Sequence, residues 1–397
     1  MSPRLSSFLD AARWIAALMV VLGHVRQLFL ADKAALPHLS LPLKALYAVM
    51  NHGHEAVVVF FVISGFLVGG LSIRKIREGR FSFRDYAAAR FSRIYVVLVP
   101  ALLVGGGLDL IGLHWADWGG LYSTRSPLGD GSLSFAAPIA DGLNIPTLLG
   151  NLLMLEDFAI ARLGSNGPLW SLVYEWWYYV LFAAGVLALT GRSLLWRVAG
   201  GSLLVLGICL LPPALTLWGT LWLLGAGAAL YASSKLPKPP VWLGVLAGAL
   251  ALGIYRHLHT ADMQMAGLSW PSFASDLCIA IGFCLLTTSF AKIGAALPAA
   301  RLHRWAADFS YSVYLAHFPF ALLASTIVVH HFGLKLAGAP SPLAVALMSC
   351  VLALTLAYCF AFSQVTEVYT PKVRELLLQA FKARPRALRT SQVESSS

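Results

Sequence analysis

"LDAARWIAALMVVLGHVRQLFL", residues 9–30, reads as a membrane-crossing helix that carries ionisable side chains. Its apolar length matches a bilayer span of about 20 residues. Yet Asp10, Arg13 and His24 lie along it, and an ionisable group in a bilayer core costs at least about 2.5–3.5 kcal/mol. At 100° per residue, Arg13 and His24 fall within about 20° of three full turns, and Asp10 to Arg13 is an i, i+3 step. The three share a face, so that face looks into a bundle or a wet cavity. His24 stands about 16 Å along the helix from Arg13.

The rest of the chain repeats the pattern. Of 397 residues, 58% are hydrophobic and 12% charged, against about a quarter charged in soluble domains. Apolar runs at about 9–30, 56–73, 94–113, 168–190, 195–211, 214–232, 241–258, 271–291, 309–332 and 341–363 predict an all-α, polytopic bundle of about ten transmembrane helices. The stretch 147–160 is too short to span and is expected to be re-entrant or interfacial. Basic residues then orient the bundle. Residues 72–93 hold Arg74, Lys75, Arg77, Arg80, Arg84, Arg90 and Arg93, and later clusters include Arg192, Arg197, Lys235, Lys238, Lys292, Arg301 and Arg304. With ten helices, these clusters and both termini fall on the cytoplasmic face. The longest opposite loop, 114–146, has Arg125 alone among Lys and Arg.

The expected organisation is a membrane domain over 1–370 and a basic cytoplasmic tail over 371–397, with "RALRTSQVESSS" (386–397) disordered. Residue Leu30 is followed by no small-residue cleavage site, so the first helix is expected to be retained rather than removed as a signal. The net charge of +11 sits in loops and tail, without a basic stripe interleaved with aromatics. That predicts a lipid bilayer rather than a nucleic acid as partner. Five cysteines, all in apolar segments and without CxxC spacing, predict no disulfide framework.

Other polar groups sit at membrane depth. In "GPLWSLVYEWWYYVLF" (167–182), Glu175 enters from the outer face, about 10–13 Å below the helix start. There it is expected to meet His24 and orient the imidazole as a general base. "HGHEAVVVFFVISGFLVGG" (52–70) carries Ser64 and Gly65 at mid-depth, where small residues admit close packing or a ligand. Its His52 and His54 are an i, i+2 pair on different helix faces, outside any HExxH pattern, and no metal site is predicted. Ser310, Tyr314 and His317 form an i, i+4, i+7 stripe, expected in the inner half nearer Arg13 than His24. Arg90 and Arg93, one turn apart, have the geometry to grip a phosphate, although positive-inside bias also supplies arginines there.

Five segments in order resemble the acyltransferase-3 family of integral membrane acyltransferases, which includes bacterial surface-polysaccharide O-acetyltransferases. "LDAARWIAALMVVLGH" (9–24) is similar to its LDxxR…H opening, and "FFVISGFLV" (60–68) to its FFxxSGFL segment. "RFSR" (90–93) looks like its RxxR, "LWSLVYEWWYYVLF" (169–182) its WSLxxE, and "SYSVYLAHFP" (310–319) its SYxxYLxH stretch. Departures stand at Ala11 and Trp14, where the family often has Gly, and at Ala56 and Val58, where it often has Gly and Asp.

The resemblance implies a multi-pass enzyme of the bacterial inner membrane. It would move an acyl group, usually acetyl, from cytoplasmic acyl-CoA to a hydroxyl, commonly on an extracytoplasmic glycan. Acyl-CoA would be a co-substrate, with no permanently bound cofactor. The implied catalytic residues are His24, Glu175, Arg13 and Asp10; the implied donor-binding residues are Arg90, Arg93, Ser64, Gly65, Tyr314 and His317. The family's longer members carry an added extracytoplasmic domain; none is expected after residue 365, so transfer would be completed alone or with a separate partner. A transporter of a glycan or lipid-linked intermediate is the alternative, which paired broken helices in inverted repeats would favour.

Overall fold

The computed structural model describes residues 1–36, 38–125, 137–156, 158–258, 270–292 and 294–383. Fifteen α-helices carry the described chain, which contains no strand. In order they are α1 (Pro3–Phe29), α2 (Leu41–Met50), α3 (Gly53–Ser64), α4 (Leu71–Arg77), α5 (Phe83–Trp115), α6 (Ile145–Leu152) and α7 (Trp170–Thr190). There follow α8 (Leu194–Leu210), α9 (Pro213–Ser233), α10 (Val241–Leu258), α11 (Trp270–Ser289), α12 (Ala300–Asp308), α13 (Ser310–His331), α14 (Pro342–Val365) and α15 (Thr370–Ala383). The segment 386–397 lies outside the described residues.

All ten expected spans are helices. Among the described residues, eight stretches are long and apolar enough to cross a membrane, and α8 and α10 supply two shorter apolar helices. At 17 residues α8 reaches about 25 Å, the lower limit for a span. Pro212 and Pro213 follow and start α9 at once. The apolar piece inside 147–160 forms only the eight-residue α6, too short to span.

Helix ends follow local chemistry. Ser2 Oγ accepts from Leu5 N at 3.3 Å, with proline in the first turn of α1. Ser82 Oγ does the same for Asp85 N, at 3.3 Å, where the 33-residue α5 begins. At about 50 Å, α5 is longer than a bilayer's hydrocarbon core is thick.

Helices α3 and α13 sit at the centre, with α1 between them and α14; α8 and α10 present leucines such as Leu195, Leu206 and Leu250 on the outside. Exposed leucines all along a helix are what hydrocarbon accepts and water does not. Between α3 and α4 the backbone widens into a π-helical turn, Gly65–Gly70. A side chain at Gly65 would collide with the Trp222 carbonyl of α9, and one at Gly225 with the Val62 carbonyl of α3. Backbone therefore meets backbone there, the close approach that small residues permit in membranes.

Candidate active site

Helices α1 and α13 run side by side in the same direction. Arg13 Nη2 donates to Ala307 O (3.1 Å), and eleven residues further along α1, His24 Nδ1 lies 2.8 Å from His317 Nε2. The two imidazoles are nearly coplanar, at 7° with centroids 5.1 Å apart. The polar stripe of α13 thus sits higher than expected, and His317 belongs with His24 rather than Arg13. Helix α13 begins at Ser310, one residue from the start its apolar run predicts, but Ala307 just before it is already level with Arg13, so the stripe rises from there toward His24.

This contact fixes protons. His317 Nδ1 is 2.9 Å from both the Val313 and Tyr314 carbonyls, which can only accept, so Nδ1 carries the hydrogen. A neutral imidazole then has a lone pair on Nε2. His24 Nδ1–H donates to it, and His24 Nε2 is left as an acceptor. His317 is fully buried, whereas His24 is of intermediate burial.

The predicted His24–Glu175 pair does not form. Glu175 faces its own helix neighbour, and Tyr179 O–H donates to Glu175 Oε1 at 2.5 Å. The i, i+4 spacing on α7 makes that contact local and hard to displace. Tyr179 Oη accepts in turn from Ser64 O–H (3.1 Å), and Trp222 Nε1–H donates to Ser64 Oγ (3.1 Å). A directed chain of hydrogen bonds runs from Trp222 to the Glu175 carboxylate.

Glu175 opens into a cavity of about 720 Å³, within the usual range of ligand sites. Arg13, Ser64, Arg90, Arg93, Glu175 and Tyr314 all line it; six of the sequence-predicted residues are brought together. Four others are placed elsewhere. Gly65 packs on the Trp222 backbone, because no side chain fits there, and does not reach the cavity. His317 is sealed behind Tyr314, one turn earlier on α13. Asp10 stays beside Arg13, at 3.8 Å, about 21 Å along α1 from His24. His24 itself lies beyond the cavity's end, so the expected catalytic set divides into a histidine pair and a cavity group about 16 Å apart along α1.

Tyr314 joins the two parts. Its ring lines the cavity, its O–H donates to the Pro168 carbonyl (3.0 Å), and Ser171 lies 2.5 Å from the same oxygen. Its own carbonyl is one of the two that hold His317.

Several partners escaped the sequence. Arg93 Nη1 is 2.9 Å from Glu367 Oε1 and its guanidinium lies 4.4 Å from the Tyr311 ring centroid. Glu367 Oε2 accepts from Ser312 N (3.0 Å) and Ser312 Oγ (2.9 Å). Asp109, fully buried on α5, accepts from both Ser165 N and Ser165 Oγ at 2.7 Å, and a side chain at Gly164 would strike its carboxylate. An acidic residue inside an apolar run was the available signal for Asp109. For Glu367, just past the last span, nothing in the spacing marked it. His54 pairs with Asp276 (2.8 Å) and His52 with Glu55 (3.0 Å), so the i, i+2 histidines turn to different partners.

Fold and site together define a multi-pass membrane protein that encloses an arginine-lined cavity and a hydrogen-bonded histidine pair. The model of the acyltransferase-3 family, an acyltransferase domain, matches residues 6–362, and the chain belongs to that family. It is also similar to an O-acetyl transferase of Shigella phage Sf6, 28% identical over 184 residues. That match spans 46% of each chain, so the chain covers about half the length of this relative. No solved structure matches the chain significantly.

Proposed function

We propose that the protein is a membrane O-acyltransferase that moves an acyl group, acetyl in the simplest case, from acyl-CoA to a hydroxyl of an extracytoplasmic glycan. Family membership and the O-acetyl transferase relative support the reaction class. The single observation that carries the mechanism is the His24–His317 contact. It leaves His24 Nε2 free to accept a proton, which is what a general base needs.

The acceptor oxygen attacks the thioester carbonyl while its proton passes to His24 Nε2. The carbon–sulfur bond breaks, and the proton on His24 goes to the departing thiolate, giving free thiol and ester. His317 holds His24 in the reactive tautomer and accepts from the imidazolium that forms. The donor occupies the arginine-lined cavity, with its thioester arm running past Tyr314 toward the histidines. Arg13 and Glu175 bind or orient that arm. The arginine-rich end faces the cytoplasm of a bacterial inner membrane, a reading the positive-inside bias of the loops supports, and both termini lie on that side.

Purified protein in proteoliposomes, given acetyl-CoA on one side and a bacterial surface glycan on the other, should yield glycan with an added acetyl mass. Acetyl-CoA consumption without any acylated hydroxyl product refutes the acceptor class. Absence of consumption with every hydroxyl acceptor tried refutes the reaction.

A further inference from the structure

The four cavity arginines are not equivalent, because their counter-charges are unequally shared. Arg93 is tied to Glu367, whose other carboxylate oxygen is taken by Ser312, and the Tyr311 ring covers its guanidinium. Arg13 donates to the Ala307 carbonyl and has Asp10 beside it. Arg90 and Arg374 differ: neither makes an ion pair with any described residue, although both line the cavity. Arg90 rests against the Tyr179 ring, 5.4 Å from its centroid.

These two cations come from different elements. Arg90 stands in the first turns of α5. Arg374 stands on α15, which packs along α5 and turns Thr370, Arg374 and Leu378 into the same cavity. That i, i+4, i+8 spacing is one helix face. The α15 face is therefore a wall of the site. The lining carboxylates are Glu175, which takes the Tyr179 hydroxyl proton donor, and Glu375, one residue around the helix from Arg374.

We propose that Arg374, on α15, completes with Arg90 the anion site for the phosphate groups of the donor, and that Arg93 is a positioning residue. Arg93 holds Glu367, and through it the junction from which α15 begins. Two guanidinium forks approaching from separate helices suit a ligand with several phosphates, since each can bind bidentately. The proposal rests on acyl-CoA being the donor. Its chemistry is shared by an anionic lipid headgroup, which the experiment separates.

The test is isothermal titration of the full-length protein in phosphatidylcholine nanodiscs with coenzyme A and with pantetheine, the same thiol arm without phosphates. Arg374→Ala should weaken coenzyme A binding by about tenfold or more while pantetheine binding stays within about twofold. Arg90→Ala should do likewise, and Arg374→Lys should recover part of the loss. Arg93→Ala should lower the melting temperature and weaken both ligands together. Unchanged coenzyme A affinity in Arg374→Ala overturns the assignment and leaves the donor reading intact. An equal loss for pantetheine makes Arg374 structural and overturns it too. A defect that appears only in nanodiscs containing phosphatidylglycerol assigns the cation to lipid headgroups instead. Wild-type protein that binds no coenzyme A overturns the donor reading itself.

Discussion

Replacing His317 by leucine isolates the step on which the mechanism turns. Leucine roughly fills the buried space but offers no acceptor. In the native site His24 Nδ1–H is held at 2.8 Å by His317 Nε2, and His317 is locked by two carbonyls at 2.9 Å. A buried donor left without an acceptor costs about 1–3 kcal/mol. At 1.4 kcal/mol per tenfold, His24 loses about 5- to 150-fold of its preference for the tautomer with a free Nε2 lone pair. The turnover rate kcat should fall by a factor in that range. The donor KM should stay within about twofold of wild type, because His317 does not line the cavity. His317→Gln, whose side-chain carbonyl still accepts, should lose less. The assay is thiol release from acetyl-CoA under saturating donor, with melting temperature and gel filtration confirming a folded protein. A folded His317→Leu variant with wild-type kcat, or one whose defect lies wholly in donor KM, refutes the tautomer argument.

Other contacts yield further expectations. Tyr179→Phe removes the hydroxyl that donates to Glu175 and accepts from Ser64; it should cost about 1–3 kcal/mol of stability and reduce the activity of the folded protein, and full activity would detach Glu175 from the site. Glu367→Ala strips Arg93 and Ser312 of their shared partner, costing about 1–3 kcal/mol. That should appear as a lower melting temperature in detergent before any assay is run. Gly65→Ala drives a methyl into the Trp222 carbonyl, an overpacking worth about 1–3 kcal/mol or more. Its expression as folded protein should drop, and tolerance of alanine would disprove the backbone contact between the π-helical turn and α9.

How much of this was legible in sequence depended on the range of the interaction. The spans followed from apolar length, and the helices fall where the runs are, because a bilayer selects for little else. Within α1, period and rise placed Asp10, Arg13 and His24 on one face and at set spacings. Between helices the same reasoning failed. Glu175 and His24 were matched by estimated depth, but Tyr179 sits four residues from Glu175 on the same helix and wins by proximity. His317 was placed too low because α13 starts level with Arg13 rather than with the first turn of α1, a register between helices that neither segment's pattern announces. Gly65 looked like a ligand position and is a packing position, a distinction only Trp222 could reveal. Val58, which stands where the family often has Asp, is buried among Val62, Leu221 and Ala280. A carboxylate is absent there, and the hydrogen-bond partner of His24 is His317.

The most direct measurement of the central claim compares thiol release from acetyl-CoA by wild-type protein and by folded His24→Ala, with the acceptor hydroxyl present. The account predicts that removing the base abolishes transfer, a loss of about 10²–10⁴-fold, while coenzyme A still binds with native affinity. Transfer at the wild-type rate by His24→Ala would contradict it.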